Sequence, residues 1–180
     1  MIRFFDFLFS FLGLIILSPI FLLLLIIGLL ENGSPLFKQY RIGRNQKPFL
    51  LIKFRSMRKG TESIATHLIN PSMITPFGKF LRRTKLDELP QLYNVLIGNM
   101  SFVGPRPCLS NQKKLISERE KKEIFKVRPG ITGLAQISEI NMKTPILLAK
   151  TDFKMINEMN LYFYFYFIFK TFFLIFKKSA

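Results

Sequence analysis

Between Asp6 and Glu31 the chain carries no charged residue, leaving 24 consecutive uncharged, largely apolar positions. As one straight helix that run would reach about 36 Å, against a bilayer core about 30 Å thick. A cleavable leader fits poorly. Arg3 is the only basic residue before the run, the run exceeds an ordinary leader core, and Glu31-Asn32 follows it without a small-x-small cleavage pattern. The segment is therefore expected to stay and to anchor the protein. Ser18-Pro19 lies near its middle. Pro19 removes the amide that would bond the carbonyl of Ile15, so a kink is predicted, with the Ser18 hydroxyl or a neighbouring group serving the freed carbonyl. On these residues alone, a spanning helix with a tolerated proline and a helix that dips in and returns stay equally open.

Lys38, Arg41, Arg44, Lys47, Lys53, Arg55, Arg58 and Lys59 follow Glu31 with no acid until Glu62, which places that side in the cytoplasm by the positive-inside rule. The 180 residues suit one modest domain with an appendage. Lys and Arg number 27 against 11 acids, a net charge of +16, so the chain must meet something anionic: nucleic acid, lipid headgroups or a phosphorylated substrate. Single residues of Cys (Cys108) and His (His67) exclude an internal disulfide and a Cys-built zinc site, and both are expected to be structural.

Phe49 to Phe54 reads as a short strand after a turn at Gly33-Ser34-Pro35. Thr75 is a candidate N-cap with Pro76 in the first turn, Phe77, Phe80 and Leu81 on one face, and Arg82-Arg83 at the end. A second helix shows Leu89, Leu92, Tyr93, Leu96 and Ile97 at helical spacing, with Asp87 as its expected cap, Pro90 in its first turn and Gly98 as its stop. Two prolines stiffen Gly104-Pro105-Arg106-Pro107 and aim Arg106. Mixed charges from Ser117 to Lys126 read as a solvated helix with no chemistry. The Tyr/Phe-rich stretch from Leu161 to Phe176 suits either a membrane interface or a buried core helix.

The only aspartates are Asp6, Asp87 and Asp152, so no Asp-x-Asp diphosphate motif exists, and Ser34 stands where a P-loop needs Lys. Asp87-Glu88 is the sole adjacent acid pair, close behind Arg82, Arg83 and Lys85. Both carboxylates are expected to be ionised there. Asp87 could serve as a nucleophile, Glu88 could share Mg²⁺ with substrate phosphates, and the arginines could take phosphate oxygens. A capped helix with surface ion pairs explains the same spacing.

The longer string Phe77-Gly78-Lys79-Phe80-Leu81-Arg82-Arg83-Thr84-Lys85-Leu86-Asp87-Glu88-Leu89-Pro90-Gln91-Leu92-Tyr93-Asn94-Val95-Leu96-Ile97-Gly98 resembles the core signature of bacterial sugar transferases, the monotopic phosphoglycosyl transferases. Colinear matches follow at Pro35-Leu36-Phe37 with Gln39 and Arg41, Lys53-Phe54-Arg55-Ser56-Met57, Met100 to Pro107 and Arg128 to Gly133, so the resemblance covers roughly residues 1 to 156. It implies transfer of a sugar 1-phosphate from a UDP-sugar to polyprenyl (undecaprenyl) phosphate, with release of UMP and the start of a surface glycan. Carried onto this chain, Asp87 forms the covalent phosphosugar ester and Glu88, with Asp87, is the Mg²⁺-associated position. Arg82 and Arg106 match positions that serve phosphate, and Lys53, Arg55, Gln91 and Arg128 match further substrate-site positions. Ser18-Pro19 matches the family's helix break, which keeps both helix ends on the cytoplasmic face of the bacterial inner membrane.

The expected architecture is an α/β unit of mostly short helices with little strand: a re-entrant membrane helix over 1–33, a catalytic domain over 34–158 and an aromatic interfacial segment over 159–180. Expected partners are the UDP-sugar, polyprenyl phosphate and inner-membrane lipids, and no nucleic acid; homodimerisation stays open. Asn99 stands where the family commonly has Asp, and Ser138-Glu139-Ile140-Asn141 and the aromatic tail also depart from it, leaving the sugar end and the C-terminal contacts open. A non-catalytic or degraded basic module that binds anionic lipid is the alternative reading.

Overall fold

The computed structural model describes residues 1–60 and 71–179; His67 lies outside them. Two apolar helices come first, α1 (Ile2–Ile16) and α2 (Ser18–Asn32), bent by 63° at the break between them. Pro19 falls in the first turn of α2, where its missing amide is not needed. Ser18 Oγ donates to the carbonyl of Ile15 at 2.7 Å, so the group that proline would orphan is served from within the chain. No single described helix is long and apolar enough to cross a membrane; only the bent pair passes such a test, and it does so jointly. Phe4, Phe7, Leu22, Leu23, Leu29 and Leu30 are exposed along it.

Polar contacts fasten both ends of this pair to the rest of the molecule. Buried Asp6 accepts hydrogen bonds on Oδ1 from Ser101 Oγ, the Phe102 amide and the Tyr164 hydroxyl, each at 3.0 Å. Arg3 donates to the carbonyls of Val95 (2.5 Å) and Leu96 (2.7 Å). At the far end Glu31 accepts from Thr75 Oγ1 (2.8 Å) and the Phe77 amide (3.1 Å). A carboxylate there satisfies donors that the next helix leaves open at its start.

Beyond Gly33 a hairpin forms from β1 (Leu36–Ile42) and β2 (Pro48–Phe54), antiparallel, with Leu36 opposite Phe54 and Ile42 opposite Pro48. Only β2 was legible as a strand, because Lys38, Gln39 and Arg41 interrupt the apolar residues of β1. Phe49 and Leu51 enter the core with Val95 and Met100, while Phe54, on the opposite face, packs with Leu24 and Leu81. Lys53 continues the Phe49–Leu51 face, as do their cross-strand partners Arg41 and Gln39. That face therefore ends in cations.

Helix α3 (Pro76–Thr84) begins at Thr75, whose side chain accepts from the Gly78 amide at 2.9 Å. Leu81 is buried and Phe80 is exposed, so the predicted apolar face is only partly the buried one. A Cβ on Gly78 would lie 2.0 Å from the Ser56 carbonyl oxygen. Gly78→Ala should therefore force α3 away from Ser56, costing about 1–3 kcal/mol of stability as overpacking does, read as a lower denaturant midpoint; Arg82, which α3 carries against Ser56, should move with it.

Lys85 (φ 60°) ends α3, the turn Leu86–Glu88 follows, and α4 (Gln91–Leu96) begins after Pro90. Asp87 is thus not a helix cap: α4 shows no side-chain cap, and Asp87 lies in the preceding tight turn because Leu89 and Pro90 extend the helical backbone toward it. The buried face of α4 is Gln91, Leu92, Asn94 and Val95, whereas Tyr93 and Ile97 from the predicted stripe are about half exposed, at 48% and 50%. Asn94 takes the inward position instead by bonding the edge of β2, accepting from the Ile52 amide (3.1 Å) and donating to the Leu50 carbonyl (2.8 Å). This pairing sets α4 against β2.

The remaining chain supplies β3 (Ser101–Val103) parallel to β4 (Gly130–Thr132), and helices α5 (Lys113–Glu120), α6 (Leu134–Ile137), α7 (Pro145–Glu158) and α8 (Leu161–Ser179). Two separate two-stranded ladders among helices make a mixed, mostly helical fold with no closed sheet among the described residues. On α8, Tyr164 and Phe167 are buried with Val103 and Met155, while Tyr162, Phe169 and Phe173 are exposed. One face of the aromatic stretch is core and the other faces outward. Cys108 is buried beside Leu115 and Leu148. Arg119, expected in a solvated helix, is instead buried in an ion pair with Asp152.

Candidate active site

Asp87 and Glu88 sit between α3 and α4, facing the cationic end of the hairpin. Glu88 Oε1 receives Lys53 Nζ at 2.8 Å and Arg106 Nη2 at 3.3 Å. Burial alone would raise the Glu88 pKa, but Lys53 and Arg106 outweigh it and hold this carboxyl well below the usual carboxylate range. Lys53 is in turn shifted down by its burial, against the pull of Glu88.

Asp87 differs from its neighbour. Its Oδ1 is buried and has no hydrogen-bond partner among the described residues. Burial pushes its pKa up, the charge of Glu88 pushes it further, and Lys53, Lys85 and Arg82 oppose both. The two carboxyls differ in their partners: Glu88 takes the cations at hydrogen-bond distance, and Asp87 keeps an oxygen with no partner among the described residues. Arg82 stands by Asp87, its Nε donating to Ser56 Oγ at 2.8 Å. The Gln91 side chain is buried one helical turn after Asp87, and its Nε2 likewise finds no partner among the described residues.

Asp87, Glu88, Lys53, Arg82 and Arg106 are therefore brought to one place, with Gln91 four residues on from Asp87. Arg55 and Arg128 are engaged elsewhere. Arg55 donates to the carbonyls of Ser34 (2.9 Å) and Leu36 (3.1 Å), fixing the chain as it leaves α2. Arg128 Nε donates to the Gly98 carbonyl (2.8 Å), past the end of α4 remote from Asp87. Sequence reasoning also missed Arg119. It donates from Nε (3.0 Å) and Nη2 (2.7 Å) to Asp152 Oδ2 and from Nη1 to the Arg106 carbonyl (2.8 Å), so it holds the segment that presents Arg106. The available signal was Asp152, one of only three aspartates in the chain.

No group of three or more His, Cys, Asp or Glu that could hold a metal occurs among the described residues. A cation that arrives with a phosphorylated ligand needs less. Mg²⁺ commonly takes one or two carboxylates and completes its shell with waters and phosphate oxygens. The unpartnered Asp87 Oδ1 next to Glu88 fits that requirement.

The site thus sets a carboxyl oxygen without a partner among Lys and Arg side chains, a charge pattern that suits phosphate oxygens. The chain belongs to the bacterial sugar transferase family, whose model matches residues 1–178. Galactosyl transferase CpsE of Streptococcus agalactiae serotype III (strain NEM316) is 37% identical over 174 residues, covering 89% of this chain and 38% of that protein. UDP-glucose:undecaprenyl-phosphate glucose-1-phosphate transferase of Klebsiella pneumoniae is 43% identical over 138 residues, 74% of this chain and 30% of that protein. Exopolysaccharide production protein PSS of Rhizobium leguminosarum bv. phaseoli is 40% identical over 146 residues, 75% of this chain and 72% of that protein. The chain thus spans well under half the length of the first two relatives.

Proposed function

We propose that this chain transfers a sugar 1-phosphate from a UDP-sugar to polyprenyl phosphate through a covalent ester on Asp87, beginning a surface glycan. The observation that carries the reading is the unpartnered Asp87 Oδ1 among Arg82, Lys53 and Lys85, while the adjacent Glu88 is neutralised by Lys53 and Arg106. Asp87 is then free to attack, and Arg82 and Arg106 bind the oxygens of the diphosphate in forked geometry. Splitting the transfer in two lets one phosphate site serve donor and acceptor in turn. Asp87 and Glu88 would hold Mg²⁺, which when bound supplies neutralisation of the diphosphate charge. Gln91 is placed to donate to a substrate oxygen.

The bent helix pair enters the inner leaflet and returns, and the exposed face of α8 lies at the interface, so that residues 34–158 work on the cytoplasmic face of the bacterial inner membrane. Arg3 and Asp6 at one end of the pair and Glu31 at the other, all bonded to the rest of the chain, support this. A net charge of +16 suits anionic headgroups and the soluble donor together, with no need of nucleic acid.

The test uses the full chain in vesicles containing undecaprenyl phosphate, with UDP-glucose, UDP-galactose and UDP-N-acetylhexosamines offered separately. UMP and a lipid-linked sugar are expected to appear in equal amounts with one donor, and chelation of Mg²⁺ should slow both by at least about 100-fold, the scale of several kcal/mol of lost charge stabilisation. Absence of UMP with every donor overturns the proposal.

A further inference from the structure

Arg41 has no part in the mechanism above, yet it lies at the site. It projects from β1 on the Phe49–Leu51 face and donates from Nη2 to Gln39 Oε1 (2.5 Å) and from Nη1 to the Pro107 carbonyl at 3.4 Å. Both acceptors are neutral. Its Nε is buried and has no partner among the described residues. The Pro107 contact sets it beside the segment that presents Arg106, and the nearest acid, Glu88, already receives Lys53 and Arg106. Burial and the charge of Arg106 lower its pKa to about 10, so it stays a cation at neutral pH. A guanidinium with no carboxylate of its own, next to a second guanidinium, costs free energy in the empty site, and an anion would return it. The cations are also ordered: Arg82 stands by Asp87, whereas Arg41 stands by Arg106 and Glu88.

From this juxtaposition we infer that Arg41, together with Arg106, binds the phosphate of the nucleoside monophosphate that leaves when Asp87 attacks. The inference rests on the proposed function. In that step an Asp87 oxygen forms a bond to the sugar-bearing phosphorus, and the bond from that phosphorus to the bridging oxygen breaks. The electron pair stays on the bridging oxygen, so UMP departs as a dianion and no proton moves. The charge of the departing phosphate rises from one to two as the bond breaks. A guanidinium aimed at it therefore binds the transition state more tightly than the donor. The unused Nε–H and an adjacent Nη–H of Arg41 form the fork that such a phosphate takes.

The experiment uses the full chain in vesicles and compares wild type, Arg41→Gln and Arg41→Lys. UMP affinity is read by calorimetry and the two half-reactions by rapid quench. Arg41→Gln is expected to weaken UMP binding about 10- to 100-fold, the scale of charge-assisted hydrogen bonds to one group, with Arg41→Lys intermediate. UMP release should slow by a similar factor, while transfer from preformed Asp87 adduct to undecaprenyl phosphate changes less than about threefold. The melting temperature without UMP should hold or rise in Arg41→Gln, because an uncompensated buried charge is removed, and added UMP should raise it in wild type but not in the variant. UMP affinity within twofold of wild type, or slowing confined to transfer onto the lipid acceptor, overturns the assignment of Arg41 alone. A lowered melting temperature with unchanged UMP affinity identifies a structural strut instead. Wild type that neither binds UMP nor releases it from any donor overturns this inference and the proposed function together.

Discussion

Asp87→Asn is expected to cut UMP release on the order of 10⁴-fold, or about 5 kcal/mol of transition-state stabilisation, as loss of a covalent nucleophile does. Asn keeps the shape of the side chain and removes the attacking oxygen's charge. Because burial and Glu88 both disfavour the ionised form of Asp87, the variant should fold at least as well as wild type, and UMP binding through the cations should persist. Mass spectrometry of quenched wild type should show a phosphosugar on a peptide containing Asp87, and the variant should show none. Full activity in the variant would end the covalent scheme. Binding that persists in both proteins with no UMP formed by either would favour a non-catalytic module.

The second large effect concerns stability. Arg119 and Asp152 are 2% and 0% exposed, the most deeply enclosed ion pair among the described residues. Asp152→Asn leaves the Arg119 cation buried with only neutral acceptors and should cost about 3–5 kcal/mol, a large share of the 5–15 kcal/mol that holds a domain together. Chemical denaturation measures it directly. Replacing both partners by Met and Leu should recover most of the loss, since the desolvation penalty leaves with the charges. The double variant should still have lowered turnover, because the Arg106 carbonyl loses its donor and the segment bearing Arg106 is no longer held. A solvent-exposed pair such as Lys126–Glu123 should be nearly silent by comparison.

What could be read from the chain beforehand follows a physical pattern. Local devices were legible: the Ser18 hydroxyl covering the carbonyl that Pro19 frees, the Thr75 cap with Pro76 behind it, and the β2 run each depend on neighbours within four residues. Asp87 and Glu88 stood out as the one acid pair, and the family resemblance attached Arg82, Arg106, Lys53 and Gln91 to them; the structure brings the three cations to the pair. Interactions across long sequence separations were invisible. Asp6 to Tyr164, Arg3 to Leu96 and Arg119 to Asp152 pair residues that spacing cannot connect. Periodicity also misled where it met a polar residue with a buried task. Asn94 takes the inward position on α4 because β2 needs an edge partner, and Tyr93 and Ile97 turn outward in consequence. Arg55 and Arg128 matched signature positions, yet Arg55 holds Ser34 and Leu36 and Arg128 holds the Gly98 carbonyl, so a residue at a signature position can fix a loop.

The clamp on α4 by Arg3 gives the bent pair a mechanical meaning. Two guanidinium bonds tie the start of α1 to the end of the short helix that opens just after Asp87 and Glu88, and Glu31 ties the end of α2 to the start of the helix that carries Arg82. In the membrane placement proposed above, the depth at which the greasy wedge rides would be transmitted to Asp87 as a fixed height above the hydrocarbon. Thickening or thinning of the lipid sheet would move the nucleophile and its arginine as a unit, changing how far an acceptor headgroup must rise to meet them.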